Sequence, residues 1–183
     1  MGRFGNTMLI NGKTDYNIKF KKGDVVRFFI TNTANTRTFK LSIDNSKMKL
    51  VGGDSGLYEK ENFIDELIIA PSERYIVEVL FDESKNYKIK NINPIRTYIL
   101  GNVEISQEIA DKDFSKDFNA VKENDYIKED ISKYKEYFDK QIDYEIDLTI
   151  EMPNMQHTMD MHNEQNIEWE DTMAEMNKIS TKK

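Results

Sequence analysis

Six of the nine methionines crowd together near the C-terminus, at Met152, Met155, Met159, Met161, Met173 and Met176, and both histidines, His157 and His162, lie among them. Thioether sulfur is a soft ligand that selects Cu(I), and imidazole can complete such a site. Met152, Met155, His157, Met159, Met161 and His162 could therefore hold a cuprous ion without any cysteine. Methionine's other use is to fill irregular gaps in an apolar core. Ordinary core, however, seldom sets four methionines between Met152 and Met161 with acids and amides in between. The spacing of His157 and His162 aligns on neither a helix nor a strand. Asp160 and Glu164 add hard oxygen ligands, so an adventitious divalent-cation site stays open beside the cuprous one.

Other chemistry is sparse. With no cysteine in 183 residues there are no disulfides, no thiolate nucleophile and no Cys-based zinc or iron–sulfur site. No Ser-His-Asp order, phosphate loop or glycosidase-like carboxylate pair stands out. Asp54, Glu73 and Arg74 could form a binding or catalytic cluster, but neither histidine lies near them in sequence to act as a base. Turn capping and a cross-loop ion pair explain them more simply, and no catalytic residue is expected.

The elements that must position these groups are strands. Thr7–Ile10 ends in Asn11-Gly12, the strongest short hairpin signal, with Tyr16–Phe20 as the expected returning strand. In 25–32, Val26, Phe28 and Ile30 alternate with Arg27, Phe29 and Thr31. In 37–43, Phe39, Leu41 and Ile43 alternate with Thr38, Lys40 and Ser42. A sheet with one buried face requires this period of two. Segments 48–51, 63–69, 74–81, 87–90 and 97–105 complete eight or nine short strands, the signature of an all-β sandwich. Gly52, Gly53 and Gly56 around Asp54 suit a tight loop needing positive φ, and Pro71 to Glu73 suit a turn.

Four motifs in order give these strands an identity at the family level. Met8-Leu-Ile-Asn-Gly is followed by Arg27-Phe through Asn32 and Asn35 to Arg37, then Gly52-Gly-Asp-Ser-Gly, then Ala70-Pro-Ser-Glu-Arg-Tyr75. Residues 4–106 closely resemble the second domain of a multicopper oxidase, with Ser55 in place of a glycine. The resemblance implies a mainly β, cupredoxin-like Greek-key β-sandwich that carries no copper in three-domain members and shapes domain contacts. Blue copper needs a cysteine thiolate, and the trinuclear cluster needs several histidines. The resemblance therefore implies copper as the cofactor of a parent protein, with none firmly bound by this chain.

The sequence divides into a sandwich over 1–106, a charged, partly helical connector over 107–143, and a methionine-rich strand or hairpin over 144–183 that resembles the opening of a third cupredoxin domain. Through Ser106 there are 16 Lys and Arg against 13 Asp and Glu, and from Gln107 onward 10 against 20. Ile127, Ile131, Tyr134 and Phe138 recur at helical spacing, with Asn124 or Asp125 to cap the helix and Glu129–Lys133 as an i,i+4 pair. A shorter turn over 117–122 would point Phe118 and Val121 inward. In 144–152, Ile146, Leu148 and Ile150 alternate with Glu145, Asp147, Thr149 and Glu151, an orphaned strand through which copies could self-associate. The family's third-domain copper motifs would lie downstream of Lys183.

The net charge of −7 argues against nucleic acid as a partner. No apolar run reaches membrane-spanning length, and Met1 to Gly5 lacks the apolar core of a secretory signal. The abrupt opening into a strand suits an internal piece of a larger protein, whose compartment stays open and could be extracytoplasmic. The expected partners are then the flanking cupredoxin domains of a parent that couples one-electron oxidation of a substrate to reduction of O2 to water. The alternative is a free-standing sandwich whose methionine–histidine tail captures Cu(I).

Overall fold

The computed structural model describes residues 7–93 and 96–147. Nine strands form in order: β1 Tyr16–Lys22, β2 Val25–Thr31, β3 Phe39–Ile43, β4 Met48–Gly53, β5 Gly56–Ile64, β6 Leu67–Ile69, β7 Arg74–Leu80, β8 Asn86–Ile92 and β9 Thr97–Ile109. They build a five-stranded sheet in the order β1-β9-β8-β3-β6 and a four-stranded sheet in the order β2-β7-β4-β5. Apolar residues at every second position of these strands meet between the sheets. Ile43, Met48, Leu67, Val77, Val79, Phe81, Tyr87, Val103 and Ile105 form the core. Phe20, Phe28 and Tyr87 pack around Phe81 with ring centroids 5.1–6.4 Å apart, the offset and edge contacts aromatic quadrupoles favour.

The Asn11-Gly12 turn forms as expected. Both residues take positive φ, 50° and 78°, and Ile10 and Lys13 close it with paired backbone hydrogen bonds of 3.0 Å. The strand expected before it does not form beyond this one bridge. Tyr16–Lys22 instead runs parallel to β9, Tyr16 opposite Gly101 and Phe20 opposite Ile105, which brings Ile18 and Phe20 against the core. The segment expected as one strand over 63–69 also divides. Gly56–Ile64 pairs with β4 in one sheet, Leu67–Ile69 pairs with β3 in the other, and Asp65 and Glu66 cross between them.

After β9 come three short helices: α1 Ser115–Asn119, α2 Asp125–Ser132 and α3 Lys135–Phe138. The expected single stripe is thus broken at Lys133 and Tyr134. Ile127 is half-buried, whereas Ile131, Tyr134 and Phe138 are exposed. Phe118 is buried as expected, but Val121 is not. Lys133 pairs with Asp130 at 2.9 Å rather than with Glu129. Asn124 makes no side-chain cap, because its amide donates to the Tyr58 carbonyl of β5. Of the orphaned strand expected over 144–152, residues 144–147 are described, and they form no strand; Tyr144 is 83% and Ile146 74% exposed.

Candidate functional site

The proposed Cu(I) ligands Met152, Met155, His157, Met159, Met161 and His162 lie outside the described residues. Among the described residues, no three His, Cys, Asp or Glu side chains come together in a way that could hold a metal ion. The donor set is the physical reason. The sequence has no thiolate and no imidazole before His157, so the sandwich residues do not fit a copper ion of the family's type.

Asp54, Glu73 and Arg74 do come together, and they serve the loops. Asp54 Oδ1 accepts from Arg74 Nε at 2.8 Å and from the Arg74 backbone N–H at 3.0 Å. The Ala70 N–H donates to Glu73 Oε2 at 2.6 Å, and the Glu73 N–H donates to the Ala70 carbonyl at 3.1 Å, closing a turn over Pro71 and Ser72. Burial, with the Asp54 and Glu73 carboxylates nearby, raises the phenols of Tyr58 and Tyr75 above their ordinary value. The described residues include no histidine to act as a base here, and the contacts make the arrangement a cross-loop clamp. Glycine's role in this loop differs from expectation. Gly56 alone of the three takes positive φ, 116°. Gly52 is required by close approach, since a Cβ there would lie 2.5 Å from the Gly56 carbonyl oxygen.

The most enclosed polar group is one that the strand pattern presents as a solvent-facing lysine. Lys49 on β4 is only 1% exposed. Its ammonium lies 3.2 Å from Glu61 on β5 and 3.1 Å from Glu78 on β7. Arg27 on β2 donates to the same Glu78 through Nε at 3.0 Å. The sheet order β2-β7-β4-β5 places these four residues side by side on its outer face. Burial by itself would raise the Glu78 carboxyl, but hydrogen bonds from Arg27 and Lys49 hold it below its ordinary value. The sequence signal for this cluster is weak: Phe118, nine residues past the last strand, supplies the cover that a strand-by-strand reading lacks.

An open groove of about 980 Å³ separates β5 from α2, lined by Leu57, Tyr58, Tyr126, Ile127 and Ile131 among others. It holds no convergent set of catalytic groups. No helix among the described residues is long and apolar enough to cross a membrane.

Two antiparallel-rich sheets with one parallel edge pair, enclosing a single aromatic-centred core, define a cupredoxin-like β-sandwich. The multicopper oxidase family model matches residues 2–104, and the chain belongs to the multicopper oxidase family. The multicopper oxidase mco of Staphylococcus aureus is 29% identical over 100 residues, which cover 54% of this chain and 22% of that protein. The laccase of Bacillus subtilis is 29% identical over 122 residues, 61% of this chain and 24% of that protein. Among solved structures, a multicopper oxidase from Campylobacter jejuni, described as a metallo-oxidase, superimposes with a TM-score of 0.52 at 29% identity. That match covers 60% of this chain and 25% of the other. The chain thus spans less than a quarter of the length of the two curated relatives.

Proposed function

We propose that this chain is the second, copper-free cupredoxin-like domain of a multicopper oxidase, residues 1–106, with its connector over 107–143 and the opening of a third domain over 144–183. The parent would couple four one-electron oxidations of a substrate to the reduction of O2, with four protons, to two waters. The C. jejuni relative's description as a metallo-oxidase and the B. subtilis relative's name of laccase support a metal ion or a phenol as that substrate. The domain's part is mechanical: it holds its neighbours at a fixed separation, and no residue in it is catalytic.

The observation that carries this reading is a nine-stranded sandwich, matched by the family model over residues 2–104, whose residues include no imidazole or thiolate. The exposure of Tyr144 and Ile146 supports it further, because a free-standing module would bury such a segment against its own sheet. An antibody raised against this chain, used on an extract of the source cells, tests it. A band well over twice 21.5 kDa supports a multidomain parent, and a band at 21.5 kDa overturns it.

A second reading is favoured by one observation, the gathering of six methionines and both histidines between Met152 and Met176. It makes the chain a free-standing sandwich that carries a Cu(I)-capturing tail, and the band at 21.5 kDa that would overturn the first reading would favour this one.

A further inference from the structure

Met48 and Lys49 are adjacent on β4 and equally buried, but on opposite faces. Met48 enters the core between the sheets. Lys49 is covered from outside by the polypeptide that follows the sandwich. Its ammonium has three donors. Besides Glu61 and Glu78, it donates to the Asp117 carbonyl at 3.0 Å and reaches the Ala120 carbonyl at 3.5 Å. The Phe118 ring centroid lies 5.6 Å from the ammonium, and the ring packs edge-on against Phe63 of β5 at 5.4 Å. These carbonyls end α1, a helix too short to satisfy them internally.

The same polypeptide then runs along the free edge of β5. Glu61 N–H donates to the Lys122 carbonyl at 3.0 Å, and Lys122 N–H donates back to Glu61 Oε2 at 3.0 Å. Asn124 N–H donates to the Glu59 carbonyl at 2.8 Å. Lys60 pairs with Glu123 at 3.2 Å. Edge strands are usually blunted or covered, and here the cover is the connector itself. Glu61 joins the two halves of the arrangement, since it binds both Lys49 and the Lys122 backbone.

We propose that Lys49 is a positioning residue that latches residues 117–124 onto β4 and β5, and so fixes where and in which direction the chain leaves the sandwich. The connector is then a rigid spacer up to Asn124. The use of that rigidity rests on the reading of the domain as a spacer within a larger oxidase, whereas the latch is a property of this chain alone.

Native-state hydrogen exchange on the whole 183-residue chain tests it. In the wild type, the amides of Phe118, Lys122 and Asn124 should exchange far more slowly than those of residues 139–147. In Lys49→Met their protection should fall by about 100-fold or more, the scale set by removing one partner of a buried ion pair, to the level of residues 139–147, while Val77, Val79 and Val103 stay well protected. A residue that stabilises the sandwich without holding the strap would lower the protection of Val77, Val79 and Val103 and leave the strap amides as they were. Should Lys49→Met fail to fold, the Lys49→Met/Glu61→Gln double variant removes the stranded carboxylate and should show the same selective release. Wild-type amides at Lys122 and Asn124 exchanging as fast as residues 139–147 overturn the latch, as does a strap that keeps its wild-type protection in Lys49→Met. A selective release in a protein that runs at 21.5 kDa in the cell would keep the latch and remove the spacer reading.

Discussion

The side-chain amide of Asn32, at the end of β2, donates to the Ile69 carbonyl of β6 at 3.0 Å, and so joins the four-stranded sheet to the five-stranded one. The same amide donates to the Arg37 carbonyl at 2.7 Å, and Asn32 Oδ1 accepts from the Ala34 N–H at 2.9 Å. Its backbone is equally committed, donating to the Glu73 carbonyl at 3.0 Å and accepting from the Ser72 N–H at 2.9 Å. A buried polar residue with every group partnered is a specific pin rather than a cost. This gives a physical meaning to the asparagine in the Arg-Phe-x-x-x-Asn motif: it holds one end of the sandwich shut.

Asn32→Ala should therefore be among the more damaging single changes. It leaves two buried carbonyls with one donor fewer each and removes the cap on Ala34, a loss of about 2–4 kcal/mol from the usual cost of unsatisfied buried groups. Urea unfolding should show a lower midpoint with an unchanged slope. A midpoint within a few tenths molar of the wild type would mean that water replaces the amide without penalty.

The Glu78 carboxyl makes stability depend on acid. Its folded value lies below the ordinary 4.5, so the deprotonated form is favoured by folding. The resulting stability is fully present above the ordinary value and is lost as pH falls through the lower folded one. Unfolding free energy should thus drop steeply below about pH 4.5, and Glu78→Gln should flatten that limb. At neutral pH the same variant should be less stable by about 1–3 kcal/mol, from weakened charge-assisted bonds to Arg27 and Lys49. An acid limb identical in variant and wild type would assign the loss to other carboxylates.

Gly52 and Gly12 separate two uses of glycine. At Gly52 an added Cβ meets the Gly56 carbonyl across a tight loop, so the backbone must move. Gly52→Ala should cost about 1–3 kcal/mol, as overpacking does. At Gly12 nothing lies within 4 Å and only the φ of 78° objects, so Gly12→Ala should cost about 1 kcal/mol. Equal midpoint shifts in thermal unfolding would sink the distinction.

Much of the sandwich is legible in sequence because period-two alternation marks strands and their buried faces. Phe28 and Phe29 show this well: adjacent and chemically alike, they go one to the core and one to solvent. Alternation does not name neighbours. Nothing local in Tyr16–Lys22 tells that it lies parallel to a strand more than 80 residues away, nor that residues 63–69 change sheets at Asp65-Glu66. Lys49 is hidden for a related reason, since its cover comes from Phe118 and from carbonyls no side-chain pattern encodes. The stripe Ile127, Ile131, Tyr134, Phe138 fails as one helix because most of it finds no apolar surface to pack against, and propensity alone does not hold so short a helix.

The methionine–histidine tract offers the most direct chemical test. Under anaerobic conditions with ascorbate, the full chain should take Cu(I) from a weak chromophoric chelator. Leucine at Met155, Met159 and Met161, or alanine at both His157 and His162, should weaken that competition, because thioether and imidazole are the soft donors available. In the His157→Ala/His162→Ala variant any binding by sulfur alone should persist. If the wild type never competes with the chelator, the methionines are better read as filling an apolar core, and the tract has no cuprous chemistry of its own.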